Sequence, residues 1–161
     1  MSESVLLQQV ERYAAEEKAK VSKLRKGETL VEVDQVKLKK FVSHIVNDMS
    51  IRHLMTITGL DLGQNIGIIY HFSHELDTLH VRILVPKSNP IAESIVDVVP
   101  GAILYEMEVH DMLGVKFTGN PWMDRKLLLP DTWPDDLPPP LLKTSKAEEI
   151  RRRLQLEVVK K

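Results

Sequence analysis

Histidines and carboxylates are the residues here best placed to do chemistry, and they gather in two stretches. His71, His74, Glu75 and His80 lie within ten residues of one another. His74-Glu75 with His80 invites a zinc-hydrolase reading, but the spacing fails. A helical metal pair needs His at i and i+4, whereas six residues turn the rings about 240° apart at ~3.6 residues per turn. His74 and Glu75 also fall where a hairpin turn is expected, so these residues read as turn and strand positions rather than ligands. His71 and His80 read as sheet-surface residues, and His44 and His53 have no partner in sequence.

The second stretch is Ile103-Leu-Tyr-Glu-Met-Glu-Val-His-Asp-Met-Leu-Gly114. On a helical wheel of about 100° per residue, Ile103, Leu104 and Met107 form one apolar side, with Glu108 and Asp111 in or beside that sector. Tyr105, Val109 and Leu113 form another. A helix apolar on two sides is sandwiched, and carboxylates there are costly unless cations or backbone donors meet them. Lys116, Arg125 and Lys126 are the nearby cations, and arginine can grip a carboxylate with two parallel hydrogen bonds. Two roles stay open for such a pair: an internal tie onto the helix, or a contact to another subunit. Neither is catalysis.

Other chemistries find no support. The 161 residues contain no cysteine, which excludes disulfides, a thiolate nucleophile and a cysteine-ligated iron–sulfur cluster within this chain. No Gly-x-Ser-x-Gly elbow or phosphate-binding glycine loop is present, and the seven glycines are scattered. The 22 basic and 23 acidic residues leave a net charge of −1, unlike the basic excess of a dedicated nucleic-acid binder. Arg151-Arg152-Arg153, with Lys143, Lys146, Lys160 and Lys161, hints at a basic tail. A solvated helix laying Leu154, Leu156, Val158 and Val159 on a partner is the favoured reading, because no aromatic residues interleave. Apolar runs are too short to cross a bilayer and no secretory signal opens the chain, so a soluble, cytoplasmic protein is expected.

Positioning these residues requires an α+β domain. Apolar spacing (Leu6, Val10, Tyr13, Ala14, Val21, Leu24) predicts a helix over 4–26, ended by Gly27. A short strand over 29–33 follows, then a helix from the Asp34 N-cap to about Asp48. Strands over 53–58, 65–73 and 78–85 should form an antiparallel meander. Asn89-Pro90 predicts a helix to about Val98, and a further helix spans 102–113 with Gly114 at its stop. With 43% hydrophobic residues the chain can build a core, helices packing on one face of a mainly antiparallel sheet. Five of the nine prolines fall between Pro130 and Pro140, which predicts an extended arm, mobile in the isolated chain. The capping box Ser145-Lys-Ala-Glu148 then opens a last helix from 146 to near the end. The expected organisation is an N-terminal helix (1–27), an α+β domain (28–129), and an arm with its helix (130–161).

The run Glu106-Met-Glu108-Val-His-Asp111-Met-Leu-Gly114, then Gly119-Asn-Pro121, then Arg125-Lys126-Leu-Leu-Leu-Pro130-Asp-Thr-Trp133-Pro134, resembles the C-type (30 kDa) peripheral-arm subunit of NADH:quinone oxidoreductase, respiratory complex I. The likeness is specific over residues 102–134. Met107 stands where that family has arginine, Asn120 where it has histidine, and the basic pair sits one residue later. These departures point toward the homologous subunit of membrane-bound energy-converting [NiFe]-hydrogenases and of the related ferredoxin-dependent sulfur-reducing complexes of archaea. The resemblance implies a non-catalytic assembly subunit without a cofactor of its own. Iron–sulfur clusters, and any NiFe centre, would reside in partner chains. The implied partners are a hydrogenase-large-subunit-like (D-type) chain, iron–sulfur subunits and, indirectly, the membrane arm, at the cytoplasmic face. Glu106, Glu108, Asp111, Gly114, Pro121, Arg125, Lys126, Pro130 and Trp133 would serve structure and contacts between subunits. Two other readings predict different behaviour: a metal enzyme built on the His71–His80 stretch, and a basic-tailed nucleic-acid adaptor.

Overall fold

The computed structural model describes residues 5–159, with side chains described as far as Leu154. Its elements are α1 (Val5–Glu16), β1 (Lys20–Arg25), β2 (Glu28–Glu32), a 3-10 turn (Gln35–Lys37), α2 (Leu38–Asn47), β3 (His53–Asp61), β4 (Asn65–His74), β5 (Asp77–Pro86), β6 (Ile91–Glu93), α3 (Ala102–Leu113), β7 (Lys116–Thr118) and α4 (Ala147–Val159).

Alternation in β4 and β5 builds the core. Ile66, Ile68, Tyr70 and Phe72 are buried and stand opposite Val85, Ile83, Val81 and Leu79, so one face of the hairpin is continuously apolar. Onto this core pack Leu38, Phe41, Val42, Ile45 and Val46 of α2, whose spacing of three and four makes one stripe. Val10 and Ala14 of α1 add to it. The expected meander is present, β3 antiparallel to β4 and β4 to β5. The whole sheet runs β1-β2-β5-β4-β3, and β2 lies parallel to β5 because α2, β3 and β4 intervene before the chain returns beside it. Asp34 caps the 3-10 turn by accepting from Val36 N–H at 3.2 Å, and α2 follows directly.

Three expectations need correction. The helix predicted over 4–26 ends at Glu16, and residues 20–25 form edge strand β1, Val21 facing Val31. The reversal uses Lys18 at φ 59°, and Gly27 at φ 76° turns the β1–β2 hairpin instead of ending a helix. Lysine-rich spacing imitated a helix surface where pairing with β2 decided the conformation. Second, Asn89-Pro90 does not open a helix. Ile91–Glu93 pairs in parallel with Lys116–Thr118, and the chain then makes a single turn in which Val98 and Val99 N–H both bond Ile95 O. Third, residues 130–145 are not a free extended arm. They form successive turns against α3, with Trp133 and Leu137 buried and Leu141 N–H bonded to Met112 O. Ser145 donates its hydroxyl to Pro139 O at 2.6 Å, and α4 starts at Ala147, one residue after the expected 146. Arg153 ties α4 to Asp136 with two bonds of 2.7 and 2.9 Å, and Arg151 and Arg152 are exposed. Side chains of Leu156, Val158, Val159, Lys160 and Lys161 lie outside the described residues.

Helix α3 sits against β3 at Gly59. A Cβ there would stand 2.4 Å from Leu113 Cδ1 and 3.2 Å from Val109 Cγ1. Gly59→Ala is therefore expected to destabilise the protein by about 1–3 kcal/mol through overpacking, read as a lowered denaturation midpoint with an unchanged m-value.

Candidate functional site: the acidic helix and its loops

Gly101 precedes α3 and Gly114, at φ 77°, ends it, its N–H bonding His110 O. A twelve-residue helix therefore carries all three acids of the motif, and each meets a different environment.

Glu106 is fully buried. Its Oε1 accepts from Ile95 N–H at 2.9 Å, and its Oε2 accepts from the Ser94 hydroxyl at 2.7 Å and from Asn120 Nδ2 at 2.9 Å. Asn120 Nδ2 also donates to Ile103 O, and its Oδ1 accepts from Trp122 N–H. One carboxylate thus joins α3, the segment after β6 and the loop after β7. Burial pushes the Glu106 carboxyl above its usual range, and the three donors pull only partly back. Burial, and then the Glu106 charge, push the Tyr70 phenol up as well.

Asp111 is also buried, and its Oδ2 accepts from three consecutive main-chain N–H groups: Leu127 at 2.8 Å, Leu128 at 2.7 Å and Leu129 at 3.1 Å. The carboxylate takes the place of an anion in a backbone nest. Of the two roles open in the sequence, the internal tie is present, and its partners are amides rather than cations. Arg125 lies with its guanidinium 5.9 Å from the Trp122 ring centroid, and Lys126 Nζ donates to Trp133 O at 3.2 Å. Lys116 is exposed on β7. Glu108, expected in the apolar sector, is exposed, because α3 turns Glu106 rather than Glu108 inward.

The remaining motif residues shape the loops. Gly114 leaves room for Pro139, whose Cγ would be 3.0 Å from an added Cβ. Pro121 and Pro130 do not enter the core; Pro130 O accepts from Trp133 N–H, and the buried Trp133 indole donates to Leu137 O at 3.2 Å. A residue the sequence reading missed is Asp61 at the end of β3. It accepts from Lys87 Nζ, from Gly63 N–H at 2.8 Å and from Lys143 N–H at 2.8 Å, and these donors hold its carboxyl far below the usual range. Its partner 82 residues away has no local signal in sequence.

His71 and His80 are cross-strand partners, their Nδ1 atoms 2.7 Å apart, with His71 Nε2 2.9 Å from Thr58 Oγ1. Burial holds both below the usual histidine range. His74 belongs to the opposite sheet face by alternation, and Glu75 occupies the β4–β5 turn at φ 52°. Among the described residues no three histidines or carboxylates converge as metal ligands.

Fold and motif together define an α+β module whose buried acids are satisfied by its own loops. Residues 31–151 match the family described as the 30 kDa subunit of respiratory-chain NADH dehydrogenase, and the chain belongs to that family. It is 36% identical over 92 residues to the C-type subunit of NADH-quinone oxidoreductase from Acidothermus cellulolyticus, a match covering 56% of this chain and 45% of that one. It is 29% identical over 111 residues to the C-type subunit of F(420)H(2) dehydrogenase from Methanosarcina mazei, covering 63% and 69% respectively. The chain therefore spans about half the length of the first of these relatives. A chain in the structure of the membrane-bound sulfane sulfur reductase, an archaeal respiratory membrane complex, shares the fold. There the TM-score is 0.79 at 24% identity, over 93% of this chain and 89% of that one.

The two buried acids should respond differently to substitution. Asp111→Ala leaves three part-buried amides without their acceptor, so it should cost about 1–3 kcal/mol and speed hydrogen exchange at Leu127–Leu129, whereas Arg125→Ala should stay within about 0.5 kcal/mol. For Glu106, the folded-state pKa lies above the unfolded one, so the native protein binds the extra proton. Its contribution to stability is full below the unfolded value and is lost as pH rises through the folded value. Wild type should accordingly gain stability relative to Glu106→Gln as pH falls from neutrality toward 4.5, measured by chemical denaturation at each pH.

Proposed function

We propose that this chain is a non-catalytic subunit that positions its neighbours in the peripheral arm of a membrane-bound respiratory complex. In this reading it docks on a D-type, hydrogenase-large-subunit-like chain. Electrons pass from ferredoxin or a related donor through iron–sulfur clusters held by other subunits, any NiFe centre is also theirs, and the complex translocates ions. The chain is held at the cytoplasmic face by its partners; among the described residues no helix is long and apolar enough to cross a membrane.

The observation that carries the reading is the family match over residues 31–151, combined with the way the motif is used. Glu106 and Asp111 are occupied by hydrogen bonds within the chain, which suits a scaffold better than a reacting centre. Gathering the Leu127–Leu129 amides inward also turns the Leu127 and Leu128 side chains outward, 39% and 56% exposed, beside the acid that anchors them. Apolar groups presented on a rigid turn are what a docking subunit offers. A second reading, a subunit of a complex I-type NAD(P)H or ferredoxin:quinone or sulfur oxidoreductase, draws support from the names of the relatives. The two differ in the acceptor used by the complex, not in the task of this chain.

The test is affinity purification of the tagged chain from its own membranes. A large-subunit-like chain and iron–sulfur subunits should co-purify, and deletion of the gene should abolish coupled activity and release those subunits. A complex that retains full composition and coupling without this chain would overturn the proposal.

A further inference from the structure

Strand β3 ends the five-stranded sheet, and a groove of about 240 Å³ runs along it. One wall consists of four successive residues, Thr56–Gly59; the other includes Glu108 and Met112 of α3, with Leu141 at the border. Side chains alternate between the two faces of a strand, so a wall of four consecutive residues is the strand's edge and not one of its faces. Among the described residues, the main-chain groups of Thr56–Gly59 on that side bond nothing outside the ladder with β4.

The two sheet edges are treated differently. The opposite edge, β1, carries Lys20, Lys23 and Arg25 and an irregularity between Lys23 and Arg25, the usual means of blocking strand addition. Along β3 the only ionisable residues are His53 and Asp61 at its two ends, and the register shift between Leu54 and Thr56 precedes the groove. Met55 and Leu60 are 37% and 42% exposed. Glu108, the one charged side chain lining the groove, meets no cation among the described residues.

We infer that the β3 edge accepts an extended segment of a neighbouring subunit as a sixth strand. That segment would be uncharged along its paired stretch, with a lysine or arginine placed to meet Glu108. The unpaired edge specifies an extended main chain as the occupant, and the lone acid specifies the sign of its charge. This inference rests on the reading of the chain as a subunit of a larger complex, and it names a contact separate from the outward-turned leucines.

Hydrogen exchange read by mass spectrometry tests it, comparing the full chain alone with the same chain in the complex purified from membranes. Amides of Thr56–Gly59 should exchange at least about tenfold more slowly in the complex, with β1 unchanged. Glu108→Lys, at an exposed position, should fold with the same melting temperature yet lose that protection, and Glu108→Gln should lose less. Equal exchange of Thr56–Gly59 in both samples, with the chain present in the complex, overturns this inference alone. Protection of the same amides in the chain by itself, rising with concentration as it dimerises, overturns it in favour of a second copy. Failure of the chain to co-purify with any complex overturns the subunit reading and this contact together.

Discussion

Two carboxylates inside the protein, satisfied by uncharged donors of the main chain and side chains, are the constraint on which the rest of the structure depends. A buried anion left to itself is far too costly, and a cation is only one remedy. Here Asp111 collects three successive N–H groups and Glu106 one N–H, a hydroxyl and a side-chain amide. Each bond is charge-assisted and therefore stronger than its neutral counterpart. Each also fixes backbone, so two side chains impose conformation on segments that carry little secondary structure of their own.

Hydrogen bonds of this kind, with apolar contacts between them, hold residues 127–143 against the domain. Leu127–Leu129 are drawn to Asp111, Leu141 bonds Met112, and Lys143 bonds Asp61, while Trp133 and Leu137 supply apolar contact between those points. Prolines lack an N–H and cannot donate to a sheet ladder, so a segment this rich in them makes turns rather than strands. Donors from the main chain and carboxylate acceptors from the domain substitute for a ladder. Polyproline character in the sequence indicated extension, but extension along one's own domain and extension away from it look alike without the partners in view.

Two departures from the family pattern acquire a physical meaning. Asn120, where the pattern has histidine, bridges Glu106, Ile103 O and Trp122 N–H with one amide, giving and accepting at once. Met107, where the pattern has arginine, is buried on α3, so the local charge balance around Glu106 contains no guanidinium from that position. The buried acid relies instead on neutral donors, which pull its carboxyl only partly back against the burial that raises it.

Local pattern alone determined a good deal. The alternation of Ile66–Phe72 and Leu79–Val85, the stripe of α2 and the Gly114 stop of α3 are set by neighbours within a few residues, and these elements appear where periodicity places them. The demand that Asp111 find cations or backbone donors was also readable, because desolvation follows from an apolar wheel, whereas the wheel turned Glu108 inward where the fold buries Glu106. Which donors answer was not, since Leu127–Leu129 and Asn120 become neighbours of α3 only after the loops close. The same holds for Lys20–Arg25 and Ile91–Glu93, whose strand character comes from pairing with β2 and β7 rather than from their own residues. Wherever spacing along the chain chose the conformation, sequence sufficed. Wherever a distant hydrogen-bond partner chose it, only the tertiary structure could decide, because that partner has no position in the sequence until the chain has folded.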